Sequence, residues 1–77
     1  MTLKIISAQE ILFTGEVDSV TLPGEMGEFT VLRNHASLLA ALTPGAVRYT
    51  AAGEMHSSEI TGGIADVDNN VVSVCVY

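Results

Sequence analysis

The residues that could do chemistry in this chain are few. His35 and His56 are its two imidazoles, and serines are scattered along its length. A hydrolase would set one of these histidines beside a serine on a strained strand-to-helix elbow, and the G-x-S-x-G run that builds such an elbow is missing. His56 stands between Met55 and Ser57 in a stretch of strand character, the setting of a surface residue. Asp66-Val67-Asp68-Asn69-Asn70 opens like a calcium loop, which then requires glycine for its sharp turn and a bidentate glutamate to close it. Val71 and Tyr77 occupy those two places. Cys75 has no partner at zinc-ligand spacing. Gly24-x-x-Gly27 and Gly62-Gly63 could offer backbone amides to a phosphate, but Glu25 and Glu28 would repel it and neither loop leads into a helix. Those glycines therefore read as turn residues. No catalytic residue, metal ligand or cofactor is expected.

The elements that carry these residues read almost entirely as short strands. Leu3 and Ile5 alternate with Thr2 and Lys4, and Ile11, Phe13 and Val17 share one parity. Val20 and Leu22 fall on the other parity, so a β-bulge is expected near Asp18-Ser19 to restore the apolar face. Pro23-Gly24 is expected to end that strand, and Phe29 with Val31 opens the next. Asn34 to Leu42 departs from alternation. Leu38, Leu39 and Leu42 have helical spacing, Asn34 is a candidate N-cap and Pro44-Gly45 a stop, which predicts a short helical turn near 35–42. Alternation resumes at Val47 and Tyr49. Ala52-Gly53-Glu54 predicts a hairpin turn, Gly62-Gly63 a sharp corner, and Asn69-Asn70 a tight turn into a last strand with Val72, Val74 and Val76 on one face. Parallel pairing would require crossover helices, and no segment is long enough to supply one. The expectation is an all-β fold, a flattened β-sandwich or barrel of two sheets with about 8–10 short strands, occupying 1–77 as a single domain.

Composition narrows the function. A chain of 77 residues buries only about 60% of the surface its unfolded form exposes, so its stability depends on an apolar core, here drawn from 48% hydrophobic residues. One cysteine permits no internal disulfide, and a reducing compartment is the natural setting. Nine acidic residues against three basic ones give a net charge of −6. Lys4, Arg33 and Arg48 stand singly, which argues against nucleic acid and against direct contact with anionic lipid. Acid on this scale suits a basic protein partner or serves solubility. The longest apolar run, around Leu38 to Leu42, is far short of the ~20 residues of a spanning helix, and Met1 to Ser7 does not form a signal peptide.

What stands out is an acidic, glycine-rich turn beside a leucine-rich segment, the kind of corner on which a rigid sandwich docks a partner. For Leu38 and Leu42 the first reading is that they cap the open end of the sandwich. The run Gly24-Glu25-Met26-Gly27-Glu28-Phe29, followed by His35-Ala36-Ser37-Leu38-Leu39-Ala40-Ala41-Leu42-Thr43-Pro44-Gly45, resembles the signature stretch of the epsilon subunit of F-type ATP synthases. Ile6-Ser7-Ala8 with Phe13-x-Gly15 is similar to that family's first hairpin. Thr61-Gly62-Gly63-Ile64-x-x-Val67-x-x-Asn70-x-Val72-x-Val74 is similar to its closing one. Three motifs in register cover essentially the whole chain.

The resemblance implies a non-catalytic subunit of the central stalk, part of the rotor. It would bind the gamma subunit and the polar loops of the membrane ring of c subunits, and couple proton transport to ATP synthesis. It implies a ring-facing turn at Glu25, Gly27 and Glu28, where acid would meet a basic residue of the ring loops and fix register. It implies a gamma-facing surface at His35, Ala36, Leu38, Ala40, Thr61 and Gly62. The setting would be peripheral, on the cytoplasmic side of a bacterial inner membrane. Arg33-Asn34 and Ser37 depart from the family's usual proline-glycine and proline, which leaves that turn less rigid. The family's C-terminal helical hairpin is expected to be absent because the chain stops at Tyr77, and nucleotide binding and hairpin-type inhibition with it. The alternative is a freestanding ligand-binding or adaptor β-sandwich.

Overall fold

The alternating segments form nine strands in a computed structural model that describes residues 1–77. They are β1 (Thr2–Ile6), β2 (Ile11–Glu16), β3 (Ser19–Gly24), β4 (Gly27–Leu32), β5 (Leu38–Leu42), β6 (Gly45–Ala51), β7 (Glu54–Ile60), β8 (Gly63–Asp68) and β9 (Val71–Val76). Two arrays result, β2-β1-β9-β8-β5 and β4-β3-β6-β7, joined where Gly24 of β3 pairs with Leu42 of β5. The two sheets expected of a sandwich are therefore two halves of one sheet curled into an open half-barrel. Leu3, Ile5, Ala65, Val67, Val72 and Val74 from the first half meet Val20, Leu22, Val31, Val47, Tyr49 and Ile60 from the second in one core. Every buried side chain in that core is hydrophobic, and no buried polar atom lacks a partner.

Two hairpins turn as their residues dictate. Asn69 and Asn70 both take positive φ (48° and 61°), as do Ala52 and Gly53 (52° and 79°), the conformation that matches the twist of the flanking strands. At the Gly62-Gly63 corner a Cβ on Gly63 would overlap the Cys75 carbonyl oxygen, so only glycine lets β8 approach β9 there.

Four expectations are corrected. No helical turn forms at 35–42: Leu38–Leu42 is β5, paired over its whole length with β8 from Leu38↔Val67 to Leu42↔Gly63. An i, i+4 leucine pair shares a face in a strand as well as in a helix, and five ladder partners outweigh local spacing. Asn34 does not cap a helix. It takes φ 65°, its amide donates to Asn70 Oδ1 at 2.6 Å, and Asn70 Nδ2 donates back to Asn34 Oδ1 at 3.1 Å. Pro23-Gly24 does end β3, as expected, with the turn following at Glu25-Met26. No bulge lies at Asp18-Ser19, because the parity changes where the chain leaves the first half for the second. The register shift falls instead at Ile5/Ile6, opposite the step from Phe13 to Ile11. Finally, β1 and β9 pair in parallel, with the entire intervening chain as their crossover.

The first residues are tied down by charge as well as by the ladder. The α-ammonium of Met1 lies 3.1 Å from Glu16 Oε2, and the Thr2 hydroxyl donates to Glu16 Oε1 at 2.7 Å. The Thr2 hydrogen bond, then the ammonium, holds the Glu16 carboxyl below its ordinary range. A carboxylate depressed in the folded state stabilises the fold above its unfolded pKa and loses that contribution as pH falls through the folded one.

Two outcomes follow for stability. Leu42→Ala, at a site 3% exposed, should cost ~2–5 kcal/mol in urea unfolding, and half-buried Leu38→Ala distinctly less; equal losses would refute the strand assignment of their faces. Glu16→Gln should flatten the fall of Tm as pH drops through the carboxylate range, and an unchanged profile would remove the role given to that carboxyl.

Candidate functional site

The β3–β4 hairpin folds its tip over β5. Pro23 and Gly24 carry β3 to the tip, Glu25 and Met26 make the turn, and Gly27, at φ 121°, starts β4. Gly24 has no room for a side chain: a Cβ there would sit 2.7 Å from the Gly27 carbonyl oxygen and 2.9 Å from the Phe29 ring. Two backbone bonds pin the tip to β5, from the Glu25 amide to the Ala41 carbonyl at 2.9 Å and from the Thr43 amide to the Pro23 carbonyl at 2.8 Å. Beyond them the strands diverge and leave a cleft. One wall is Gly24 through Gly27 with Phe29, the other Leu38 through Ala41. Of these lining residues, Met26 is fully exposed and Leu39 is 73% exposed.

Four of the sequence-predicted residues meet in this cleft: Glu25 and Gly27 from the turn, Leu38 and Ala40 from β5. The others lie around it. Glu28 points onto the outer face of β4, where Arg48 of β6 donates to its Oε2 at 2.7 Å across β3. His35 and Ala36 sit exposed in the loop between β4 and β5, the imidazole Nδ1 2.7 Å from the Ala36 carbonyl oxygen. Thr61 is exposed and Gly62 buried at the corner between β7 and β8, beside the C-terminal end of β5. A Cβ on Gly62 would lie 3.2 Å from the Tyr77 ring and 3.5 Å from the Leu42 carbonyl. His56 pairs with Tyr49 across β6 and β7 and stacks on its ring at 5.3 Å, itself 4.7 Å from Phe13.

Sequence reasoning missed Met26, Phe29, Leu39 and Ala41 as parts of this wall. Reading 38–42 with period two rather than as a helix would have placed Leu39 and Ala41 outward. The surroundings are acidic. Arg48 is engaged by Glu28 and Arg33 lies 3.7 Å from Asp18, whereas Glu25 and Asp66 have no salt bridge. Asp68 accepts from the Ser37 hydroxyl at 2.6 Å beside the start of β5. No three His, Cys, Asp or Glu side chains converge as a metal site would require. No helix is long and apolar enough to cross a membrane.

The fold is a curled all-β half-barrel with a cleft between the β3–β4 tip and β5. The chain belongs to the family of ATP synthase delta/epsilon chain β-sandwich domains, whose model matches residues 1–77. It is 40% identical over 76 residues to a protein of Janthinobacterium sp. (strain Marseille) named ATP synthase epsilon chain, covering 96% of this chain and 54% of that protein. A chain in the Euglena gracilis mitochondrial ATP synthase structure titled "OSCP/F1/c-ring in rotational state 1" superposes with a TM-score of 0.88 at 27% identity, over 96% of this chain and 48% of that one. A chain in the Tetrahymena thermophila structure of the mitochondrial "central stalk/cring" shares the fold, with a TM-score of 0.80 at 13% identity over 97% of this chain and 61% of that one. This chain thus spans about half the length of the curated relatives it matches.

Gly24→Ala tests the cleft's construction. Overpacking against the Gly27 carbonyl and the Phe29 ring should cost ~1–3 kcal/mol in chemical denaturation and shift backbone NMR signals on both walls. A neutral substitution would show the tip to be less closely packed than described.

Proposed function

We propose that the chain is a non-catalytic rotor component of the central stalk of an F-type ATP synthase. It binds the gamma subunit and the membrane ring and couples proton transport to ATP synthesis, making and breaking no bonds itself. One observation carries this: the fold gathers the acidic turn and the β5 segment, separate in sequence, into a single cleft at an exposed end. Family membership supports the stalk assignment over a freestanding adaptor sandwich. Residues 1–77 act as one docking unit.

Within it, Glu25 and Gly27 at the tip face the ring, and Leu38 and Ala40 with the Thr61–Gly62 corner face gamma. His35 and Ala36 extend the gamma surface along the loop before β5. Glu28 belongs to the ring-facing turn and is steadied by Arg48, while Glu25 is the acid free to pair across an interface. Opposite charge there sets register and encounter rate more than affinity. Placed this way the domain is peripheral, on the cytoplasmic face of a bacterial inner membrane, and reaches that membrane only through the ring.

Two measurements test the proposal. The chain should co-purify with gamma, and failure to do so at micromolar concentrations would count decisively against it. In an assembled synthase Glu25→Lys should lower proton pumping per ATP hydrolysed several-fold while the domain stays folded by circular dichroism. Unchanged coupling would remove the turn from the ring interface.

A further inference from the structure

The backbone of β5 is paired along its whole β8 edge but only at its C-terminal end on the other edge. Ala41 and Thr43 turn their main-chain groups toward the hairpin tip, where the Ala41 carbonyl receives the Glu25 amide and the Thr43 amide reaches Pro23. Main-chain direction alternates along a strand, so Leu39 presents its N–H and C=O on that same edge, away from β8. Pairing with β3 stops at Gly24↔Leu42, and no bond to Leu39 forms on this side. The Leu39 groups and the Ala41 N–H therefore open into the cleft. An open strand edge is a template for another strand. The edges of β2 and β7 are also unpaired but lie outside this cleft, and β4 reaches it only at Gly27 and Phe29, on the wall opposite β5.

We propose that this cleft binds its partner by strand addition, taking an extended segment of alternating apolar and basic residues onto the free edge of β5. Side chains aligned with Leu38 and Ala40 would enter the apolar space under Met26 and Phe29. Those aligned with Leu39 would emerge on the outer face, where Leu39 pairs across to Asp66 and Glu25 stands at the rim. Neither carboxylate has a salt bridge, two of the chain's three basic residues are engaged elsewhere, and Lys4 lies two strands beyond Asp66. Acid without internal counter-charge beside unpaired amides specifies the chemistry of the occupant: main-chain bonds for affinity, alternate side chains for selection. This deepens the docking reading of the same cleft and rests on it.

The test uses a capped synthetic peptide of alternating valine and lysine. Binding should slow hydrogen exchange at the Leu39 and Ala41 amides. N-methylating the peptide amides on one edge should weaken it by about tenfold or more, since each lost bond is small but several act together. Leu39→Pro should do the same, because its N–H lies outside the β8 ladder and an edge strand tolerates proline there. If that variant unfolds, the N-methyl peptide decides alone. Equal binding of a scrambled peptide of the same composition, or equal affinity after N-methylation, overturns strand addition. Protection of the same amides by raised protein concentration without peptide would make the occupant a second copy and overturn the basic-segment assignment. A chain that binds the peptide but not gamma refutes the stalk reading alone. One that holds gamma but ignores the peptide refutes strand addition alone.

Discussion

The docking end of this molecule depends on one residue pair, Gly24 against Leu42. It is the only pairing that joins the two halves of the sheet, and it is held by two backbone bonds rather than a long ladder. A full ladder between β3 and β5 would lay the halves side by side and flatten the curl. No link at all would let the hairpin tip swing away. A single pair at the tip fixes a corner and still allows the strands to diverge, and the divergence is the cleft. Glycine at 24 is what permits the approach, because the space a Cβ would need is already filled by the Gly27 carbonyl and the Phe29 ring.

A chain this short has little else with which to hold such a corner. Cys75 is its sole cysteine and stands exposed, so no covalent link helps. Stability comes from burying one face of each strand against the other half of the curl, and the alternation of the sequence is strict where that face is deepest. Leu3 and Ile5, Val20 and Leu22, Val72 and Val74 are all fully buried. The opposite arrangement holds at β5, where Leu39 and Ala41 face outward and remain apolar. An exposed leucine contributes little to folding.

The strands and their turns were legible because their signals are local and agree: period-two alternation bounded by Asn-Asn, Ala-Gly and Gly-Gly. The parts that were not legible share a cause. Leu38 and Leu42 lie on one face whether the segment is helical or extended, so spacing alone could not choose, and the choice came from β8, more than twenty residues further along. The parity change at Asp18 looked like a bulge because a bulge and a move between halves leave the same trace in sequence. The parallel pairing of β1 with β9 joins the two ends of the chain and has no local signature at all. Of the site, Glu25, Gly27, Leu38 and Ala40 came from motif resemblance and do converge. Glu28 came from the same resemblance, but it lies outside the cleft, on the outer face of β4 against Arg48. Met26 and Leu39 went unmarked because an exposed hydrophobic residue announces nothing until its neighbours are known.

The charge pattern gives this arrangement its direction. With nine acids against three bases, self-repulsion would be least if the bases were spread evenly among the acids. They are not: Arg48 is drawn to Glu28 across β3 and Arg33 to Asp18, which neutralises the outer face of the β3–β4 hairpin and its base. Of the six side-chain carboxylates without a salt bridge, Glu25 and Asp66 flank β5. In the proposed rotor role the domain must keep its partners through repeated reorientation, and a contact made only of surface ion pairs is weak and screened by salt. Main-chain bonds to a fixed strand edge, seated between apolar walls, resist both. In the proposed strand addition the acids guide the approach and set the register, while the backbone of β5 carries the hold.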